Sequence, residues 1–486
     1  MIFADTTSQA VVHPTPLLVW TAPFVVLLLS IAVLPLVPKF EHWWHKNSSK
    51  LMVAVVLALI TLGYYASRDF GATVHDPFSE TVLKTLGLQT HSHDGHAVTE
   101  PGKATAVGVL ANSLMEYLPF ISLLFSLYVI AGGISVRGDM PAHPITNTAF
   151  LAIGGVLASF IGTTGASMLL IRPVLKTNSE RKHVVHTVIF FIFIVSNVGG
   201  TLLPIGDPPL FLGYLKGVPF LWTLSLWKEW AMMLVVLLLV YFIWDSIRYK
   251  SETPRDIRLD EALVMPLSIV GKVNFLLLAG VVLATGTLTP GKPFLNIEGG
   301  WIPFPFCREL VQLAMVGLSL RLTAKAIRPE NNFNYAAILE VACLFIGIFI
   351  CMQPAIEILN AKGASLGIKE PWQFFWATGL LSSVLDNAPT YVVFFETANA
   401  MTTHHVDGET LRLLSGHIIR MDQLTAISIG AVFMGANTYI GNGPNFMVKA
   451  IAEHEGIKMP SFFGYMAYSG ALLIPLFIAM TFFYFF

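Results

Sequence analysis

Residues 382–395 read SSVLDNAPTYVVFF, which places an aspartate, an asparagine and a proline in the middle of an apolar stretch. The whole chain is apolar, because 55% of its 486 residues are hydrophobic and only 12% are charged. This composition lies outside the usual range of soluble domains and predicts a protein that crosses a membrane several times. An ionisable group inside such a segment is costly and usually marks an ion or proton pathway. The formal net charge of -1, without a basic domain, argues against nucleic acid as a partner.

Apolar runs that are long enough, or nearly so, to cross a hydrocarbon core of about 30 Å recur along the chain. They lie near residues 17–36, 51–66, 117–134, 229–244, 273–287, 333–352 and 461–486. Further crossings are interrupted by Gly, Pro and Asn. The pattern predicts an all-α polytopic membrane protein with about ten transmembrane helices and two re-entrant hairpins. The first run lacks a positively charged leader and an Ala-x-Ala site, which favours a retained helix over a signal peptide.

The distribution of Lys and Arg predicts the orientation, because positively charged loops stay in the cytoplasm. The most basic loop is 248–272, which we place inside. Counting crossings from it puts 39–50, 135–146, 176–183 and 321–332 inside, and 67–105, 216–228, 289–306, 354–370 and 400–416 outside. We expect a plasma membrane location, which in bacteria is the inner membrane.

Two pairs of stretches show an internal repeat. FIGTTGASMLLIRPVL (160–175) matches SVLDNAPTYVVFFETA (383–398), since both have small polar tips between apolar arms. SNVGGTLLPIGDPPLFL (196–212) matches GANTYIGNGPNFMVKAI (435–451), since both are apolar segments broken by Gly and Pro. Their flanking charges predict inverted repeats, a pattern typical of secondary transporters. The expected domains are N-terminal helices with an outer loop (1–105), the first repeat (106–248), linker and scaffold helices (249–331) and the second repeat (332–486).

The repeat predicts where a binding site lies. Asp207 in the first broken segment and Asp386 at the second hairpin tip should converge if the two copies pack around a pseudo-twofold axis. Paired carboxylates with amide and hydroxyl oxygens suit a small hard cation or protons, so Asp207 and Asp386 are the candidate Na⁺ ligands. The full candidate set is Asp207, Asp386, Asn387, Thr163, Thr164, Asn197, Thr390, Asn437 and Asn442. The alternative for both aspartates is a purely structural role at a helix start.

Three further charged residues are weaker candidates. Glu116 and Glu340 each lie near the start of an apolar run, where contact with solvent or loops is the alternative. Arg172 either extends to the inner surface, neutralises Asp207 or meets an anionic substrate. The run HSHDGH (91–96), with His91, His93 and His96, has metal-ligand residue types, but its place in a long loop favours a solvated segment.

At these motifs the chain resembles the ion transporter superfamily, which includes NhaD-type sodium/proton antiporters, arsenite transporters, citrate carriers and dicarboxylate/sodium symporters. LSSVLDNAPT (381–390) is similar to the second hairpin of the NhaD-type antiporters, and NVGGTLLPIGDPP (197–209) is similar to their first broken helix. The first tip, GTTGASMLLIRP (162–173), departs from their Asp-Asn pattern and is closer to the citrate-transport branch. The resemblance implies a scaffold and a transport domain, elevator-like alternating access and a homodimer.

Two transport functions follow, with Na⁺ and H⁺ as transported ions and no cofactor. The first is sodium/proton antiport, indicated by two membrane carboxylates without a basic residue at either tip. The alternative is symport of citrate or another carboxylate with a cation, in which hairpin N-termini would hold the anion. A membrane-embedded enzyme is the third class, but the sequence has no zinc, Ser/Lys or Gly-x-Gly-Asp motif that would favour it.

Overall fold

The computed structural model describes residues 15–74, 77–93, 96–262, 264–294, 297, 299–402, 408–414 and 416–486. The regular structure of these residues is almost entirely helical. The helices are α1 (Ala22–Val33), α2 (Pro38–Trp44), α3 (Asn47–Ser67), α4 (Pro77–Thr85), α5 (Lys103–Ala131), α6 (Pro144–Ile161), α7 (Thr163–Thr177), α8 (Val185–Ile194), α9 (Pro208–Leu215), α10 (Trp227–Tyr249), α11 (Pro254–Ala262), α12 (Val273–Thr287), α13 (Cys307–Leu322), α14 (Ile327–Glu330), α15 (Ala336–Cys351), α16 (Gln353–Lys362), α17 (Pro371–Val384), α18 (Asn387–Thr402), α19 (Met421–Met434), α20 (Gly443–His454) and α21 (Phe462–Tyr484).

In the part of the chain that the structure describes, seven short strands lie in the connections between helices. They are β1 (Thr73–Val74), β2 (Thr90–His93), β3 (His96–Thr99), β4 (Ser135–Asp139), β5 (Met265–Val270), β6 (Thr410–Arg412) and β7 (Ile418–Arg420). They form a three-stranded antiparallel sheet in the order β1-β3-β2 and two antiparallel pairs, β4 with β5 and β6 with β7.

The long helices are those of a membrane protein. Within the described residues, five helical segments are long and apolar enough to cross a membrane, or up to seven if each of two bent pairs is one span. The five are Asn47–Ser67, Lys103–Ala131, Pro144–Ile161, Phe220–Tyr249 and Phe462–Tyr484. The predicted class, an all-α polytopic membrane protein, is therefore confirmed. The count of about ten also needs the broken helices described below, and it stays a prediction.

Two helical hairpins break where the repeat predicted polar tips. In hairpin 1, α6 ends at Ile161 and α7 begins at Thr163, with only Gly162 between them. Gly162 has φ 78°, a conformation that a residue with a side chain rarely adopts. In hairpin 2, α17 ends at Val384 and α18 begins at Asn387. Each hairpin therefore places the N-terminus of its second helix at the tip.

Two further helices are interrupted in the middle. Between α8 and α9 the chain forms 3-10 turns at Val198–Thr201 and Pro204–Gly206. Between α19 and α20 it forms a 3-10 turn at Gly435–Asn437. Proline stands in the first turn of both α9 and α20. The backbone N–H that proline lacks would have no partner within the helix at this position, and the proline ring favours the helical φ. These interruptions give two broken helices, α8–α9 and α19–α20. The domain boundaries drawn from the repeat stay a prediction.

Segments predicted to share the inner membrane side contact one another. β4 pairs with β5, joining 135–146 to 248–272. Arg137 forms an ion pair with Glu330 at 2.7 Å, which adds 321–332 to the group. Which end of the molecule faces the cytoplasm stays a prediction.

The segment 176–183 joins the same group through buried charges. Arg181 donates to Asp245 at 2.6 Å, and Glu252 accepts the backbone N–H groups of Lys182 and His183. Burial alone would raise the pKa of the Glu252 carboxyl, but these backbone hydrogen bonds lower it below its usual value. The Glu252 carboxylate is thus held ionised beside the segment that precedes α8.

Helices α17 and α19 pack closely because Gly430 leaves room. A Cβ at Gly430 would lie 2.7 Å from the carbonyl oxygen of Phe375 in α17. Gly470 in α21 is different, since a Cβ there would meet nothing within 4 Å. A methyl group at Gly430 must displace backbone, whereas one at Gly470 needs no adjustment.

We predict that Gly430→Ala destabilises the protein while Gly470→Ala does not. Overpacking a close helix contact costs about 1–3 kcal/mol. Alanine in an open helical position instead contributes about 0.5–1 kcal/mol to stability. Thermal unfolding of the purified protein in detergent, followed by tryptophan fluorescence, gives the comparison. Equal melting temperatures for the two variants would contradict the packing described here.

Candidate functional site

Four helix starts meet at the side chain of Asp207. The Thr163 hydroxyl donates to Asp207 Oδ1 at 2.9 Å, and Asn442 Nδ2 donates to the same oxygen at 3.1 Å. Asn387 Nδ2 donates to Asp207 Oδ2 at 2.7 Å. Thr163 and Asn387 are the first residues of α7 and α18, while Asp207 and Asn442 precede α9 and α20. Both hairpin tips and both broken helices therefore contribute one side chain.

The local backbone explains why Asp207 is free to accept these bonds. Asp207 and Asn442 have nearly the same extended conformation, with φ/ψ of -143°/142° and -150°/139°. Neither side chain hydrogen-bonds to the helix that follows it. The carboxylate of Asp207 consequently points to other elements instead of capping α9, which argues against a purely structural role at a helix start.

Small residues allow the approach of the backbone segments. A Cβ at Gly206 would overlap the carbonyl oxygen of Gly200, so the turn before Asp207 closes only with glycine there. Asp207 itself is 1% exposed. The site is therefore a packed, buried contact between the two halves of the chain.

A chain of amide side chains connects the two broken helices behind Asp207. Asn442 Nδ2 lies 3.2 Å from Asn197 Oδ1, and Asn197 Nδ2 donates to Asn445 Oδ1 at 2.7 Å. Asn445 Nδ2 donates in turn to the carbonyl oxygens of Gly435 and Thr438 at 2.8 and 2.9 Å. These carbonyls lie in the interruption between α19 and α20, where the helix leaves them without a backbone donor. The amides thus satisfy the break and hold Asn442 in place.

The predicted residues Asp386 and Thr390 lie beside this cluster and bond to their own hairpin. Asp386 Oδ1 accepts the backbone N–H of Ala388 at 3.1 Å, which is a cap on the start of α18. The Thr390 hydroxyl donates to the Asp386 carbonyl oxygen at 3.0 Å. Asp386 has an electrostatic interaction with Asp207 but is not among its hydrogen-bond partners. The alternative capping role is therefore present in the structure, alongside a second negative charge near the site.

Asn437 and Thr164 also lie outside the direct contacts of Asp207. Asn437 Nδ2 donates to Ser383 Oγ at 2.8 Å and so ties the α19–α20 interruption to α17. Thr164 is half-buried, and its hydroxyl makes no hydrogen bond to Asp207 in the described part of the chain. The structure thus joins Asp207, Thr163, Asn387, Asn442 and Asn197, and it places the other predicted residues around them.

The electrostatics of the cluster have two distinctive features. All three donors to Asp207 are neutral side chains, so its charge is balanced by dipoles and helix N-termini instead of a cation. In addition, Asn387 Oδ1 and Asn437 Oδ1 are buried and have no hydrogen-bond donor among the described residues. Buried acceptors of this kind are costly unless a ligand or proton donor meets them.

The weaker candidates occupy other places. Glu116 on α5 accepts from Lys216 at 2.7 Å, and Lys216 also pairs with Glu396 on α18 at 3.1 Å. Glu340 pairs with Lys50 at 2.6 Å and is 44% exposed at its side chain. Each glutamate therefore forms an ion pair with a lysine, and a direct role of either glutamate in transport stays a prediction.

Arg172 is not among the hydrogen-bond donors to Asp207 in the described part of the chain. It is half-buried on α7, and its electrostatic interactions are with Glu455 and Tyr128. Its Nε is buried and unpaired among the described residues. The described residues show no ion pair between Arg172 and Asp207, which was one of the sequence hypotheses for Arg172, and a contact of Arg172 with an anionic substrate stays a prediction.

In the histidine run, His91 and His93 lie on β2 and His96 begins β3. Asp94 and Gly95 lie outside the described residues, and His91 Nε2 lies 3.2 Å from Glu100 Oε1. Within the described part of the chain, no group of three or more His, Cys, Asp or Glu side chains could hold a metal ion.

Sequence reasoning missed three residues of these networks. Asn445 lies three residues after Asn442 in NGPN, and that spacing on a helix start was the available signal. Lys216 and Glu396 were each lone charges at the edge of an apolar run. Their pairing depends on α9 and α18 lying side by side, which a single sequence does not reveal.

One family matches the chain over almost its whole length. The family described as "Putative citrate transport" matches residues 14–86 and 94–485. The chain belongs to this family. No curated protein matches it significantly. The match makes the chain a multi-pass membrane transporter, in agreement with the resemblance to the ion transporter superfamily and its citrate-transport branch.

Two neighbouring threonines offer a test of the hydrogen bonds at Asp207. We predict that Thr163→Val lowers stability by about 1–3 kcal/mol, because it removes one donor from a buried carboxylate. Thr164→Val makes the same chemical change at a half-buried position that does not contact Asp207, so it should cost much less. Unfolding of both variants by heat in the same detergent measures the difference. A larger loss in Thr164→Val would show that the tip is oriented differently.

Proposed function

We propose that this transporter exchanges Na⁺ for H⁺, with Asp207 as the residue that binds both. The observation that carries the proposal is the environment of Asp207: a buried carboxylate whose hydrogen-bond donors are all neutral. A buried negative charge without a positive charge beside it is unfavourable, so the Asp207 carboxylate favours binding of a proton or a small cation. Because the two compete for the same oxygens, binding of one releases the other.

The surrounding atoms suit a small hard cation. The carboxylates of Asp207 and Asp386 and the unpaired Oδ1 atoms of Asn387 and Asn437 are all oxygen ligands. Cations such as Na⁺, Mg²⁺ and Ca²⁺ prefer oxygen ligands of this type. Among the described residues the donors to Asp207 are neutral, which leaves its charge available. The four elements that meet here belong to both halves of the chain. A movement of the hairpins relative to the scaffold helices would therefore change access to the site and its ligands together.

A second candidate is cation-coupled symport of citrate or another carboxylate. It is supported by the helix N-termini of α7, α9, α18 and α20, which converge on the site and carry partial positive charge. Citrate transport is also the function that the description of the family names. In this mechanism Asp207 would bind the coupling cation, and the N-termini would hold the carboxylate groups.

Transport by purified protein in liposomes tests the two candidates. With a proton gradient and a pH-sensitive dye inside, we expect Na⁺ or Li⁺ alone to cause proton movement, and apparent Na⁺ affinity to weaken as the pH is lowered. Asp207→Asn should abolish this exchange. Glu80→Gln serves as the control, since it removes a carboxylate from an exposed ion pair with Lys84 on α4.

The outcome with citrate decides between the candidates. Proton or Na⁺ movement that requires citrate, or a citrate–metal complex, would contradict antiport and favour symport. Exchange that is unchanged in Asp207→Asn would contradict both mechanisms, because each of them assigns the coupling ion to that carboxylate.

The role of Asp386 is tested by combining substitutions. Asparagine at 386 can still cap α18 but carries no charge. If Asp207 and Asp386 share one cation, each single change to Asn should weaken Na⁺ binding by a similar factor. The double variant should then lose little more, since residues that act as a unit are non-additive. Binding measured by isothermal calorimetry in the three variants gives the result. Additive losses would assign the two carboxylates to separate sites.

A further inference from the structure

A cavity lies between the first helix, α16 and hairpin 2. Its volume is about 460 Å³, within the roughly 300–1,000 Å³ typical of small-molecule sites. One wall consists of α1 and the turn before it, including Leu18 and Leu28. The opposite walls come from Ala355 on α16 and from Leu385 and Val393 on hairpin 2.

The lining excludes a polar occupant. Apart from two hydroxyls, the side chains that line the cavity are apolar. Those hydroxyls are already engaged, because Thr21 donates to the Leu18 carbonyl oxygen and Thr390 donates to the Asp386 carbonyl oxygen. An ordered water needs two to four polar partners, so the occupant has to be hydrocarbon.

The mouth of the cavity is continuous with the surface that faces the membrane. Leu18, Leu29 and Leu381 line the cavity and are 74%, 50% and 37% exposed. The segment Leu18–Val33 is also part of a candidate membrane span. In a bilayer the medium at these residues is lipid acyl chains, which are as apolar as leucine. Entry of an acyl chain therefore requires no loss of hydration.

We propose that the acyl chain of a membrane phospholipid binds in this cavity and supports the tip of hairpin 2. Leu385 and Pro389 line the cavity, and Asn387, which donates to Asp207, lies between them in the same turn. A chain packed against Leu385 and Pro389 restricts movement of that turn. The lipid site therefore supports the position of a residue that contacts Asp207.

Photolabelling tests the site independently of any transport activity. The protein is reconstituted in phosphatidylethanolamine/phosphatidylglycerol vesicles that contain a phospholipid with a diazirine in its acyl chain. We expect peptides covering residues 18–29, 355–359 and 381–393 to be labelled above the rest of the lipid-facing surface. Ala355→Trp and Val393→Trp fill the cavity from two walls. Each should reduce this labelling about tenfold, the effect of about 1.4 kcal/mol in binding free energy.

Leu276→Trp on α12 is the control, since Leu276 is 74% exposed and does not line the cavity. It should leave the labelling unchanged. Added phospholipid should also raise the melting temperature of the delipidated wild type more than that of the two filled variants, because a ligand stabilises the state that binds it. Uniform labelling of all lipid-facing helices would overturn the proposal. So would cross-linking of a second copy of the chain through the cavity residues.

Discussion

The interaction on which the structure depends is the set of hydrogen bonds to the buried carboxylate of Asp207. Its donors, Thr163, Asn387 and Asn442, come from three elements, and Asp207 itself comes from a fourth. A carboxylate at this depth is tolerated only with such partners, since an unpaired buried charge is among the most costly groups in a protein. The hairpin tips and broken helices must therefore keep their relative positions whenever Asp207 is ionised. Under the proposed exchange, a proton or cation on Asp207 would change that requirement and would couple the site to movement of the hairpins.

The helix interruptions form the site, and the side chains of the site supply hydrogen bonds that the interrupted backbone requires. Broken backbone inside a membrane has carbonyl and amide groups that lipid cannot satisfy. Asn445 supplies donors to two such carbonyls, and Asn197 connects it to Asn442. The amide that supports the interruption in α19–α20 thus also positions a donor to Asp207 in the other half. One continuous network thus connects the structural support of the helix break to the proposed ion site.

Much of this arrangement could be predicted from the sequence, and the remainder shows where sequence reasoning ends. Hydropathy and the paired motifs predicted the helical membrane fold and the polar breaks at Gly162 and Asn387. They also predicted that Asp207 meets the second hairpin, although the residue in contact is Asn387 and not Asp386. The sequence alignment opposed Thr163 to Asp386, whereas the structure makes Thr163 equivalent to Asn387. That difference of one residue depends on where α7 and α18, the second helices of the two hairpins, begin.

The Lys216 pairs with Glu116 and Glu396 were not predictable, because they join residues about 100 and 180 positions apart through helix packing alone.

The equivalent positions of the two halves differ in charge, and this difference is informative about the mechanism. Thr163 corresponds to Asn387, and Asp207 corresponds to Asn442 in backbone conformation and place. Only one of these four side chains is a carboxylate. A second carboxylate at 442 would face Asp207 at the distance of a hydrogen bond, where two negative charges could not both stay ionised. Asparagine there donates instead and leaves a single charge at the centre. Asp386 then places a second charge at the edge of the site, where it caps α18 without direct contact with Asp207. Under the proposed exchange, the asymmetry between the halves would leave one central carboxylate for one proton or one monovalent cation to neutralise, within a backbone frame that both halves share.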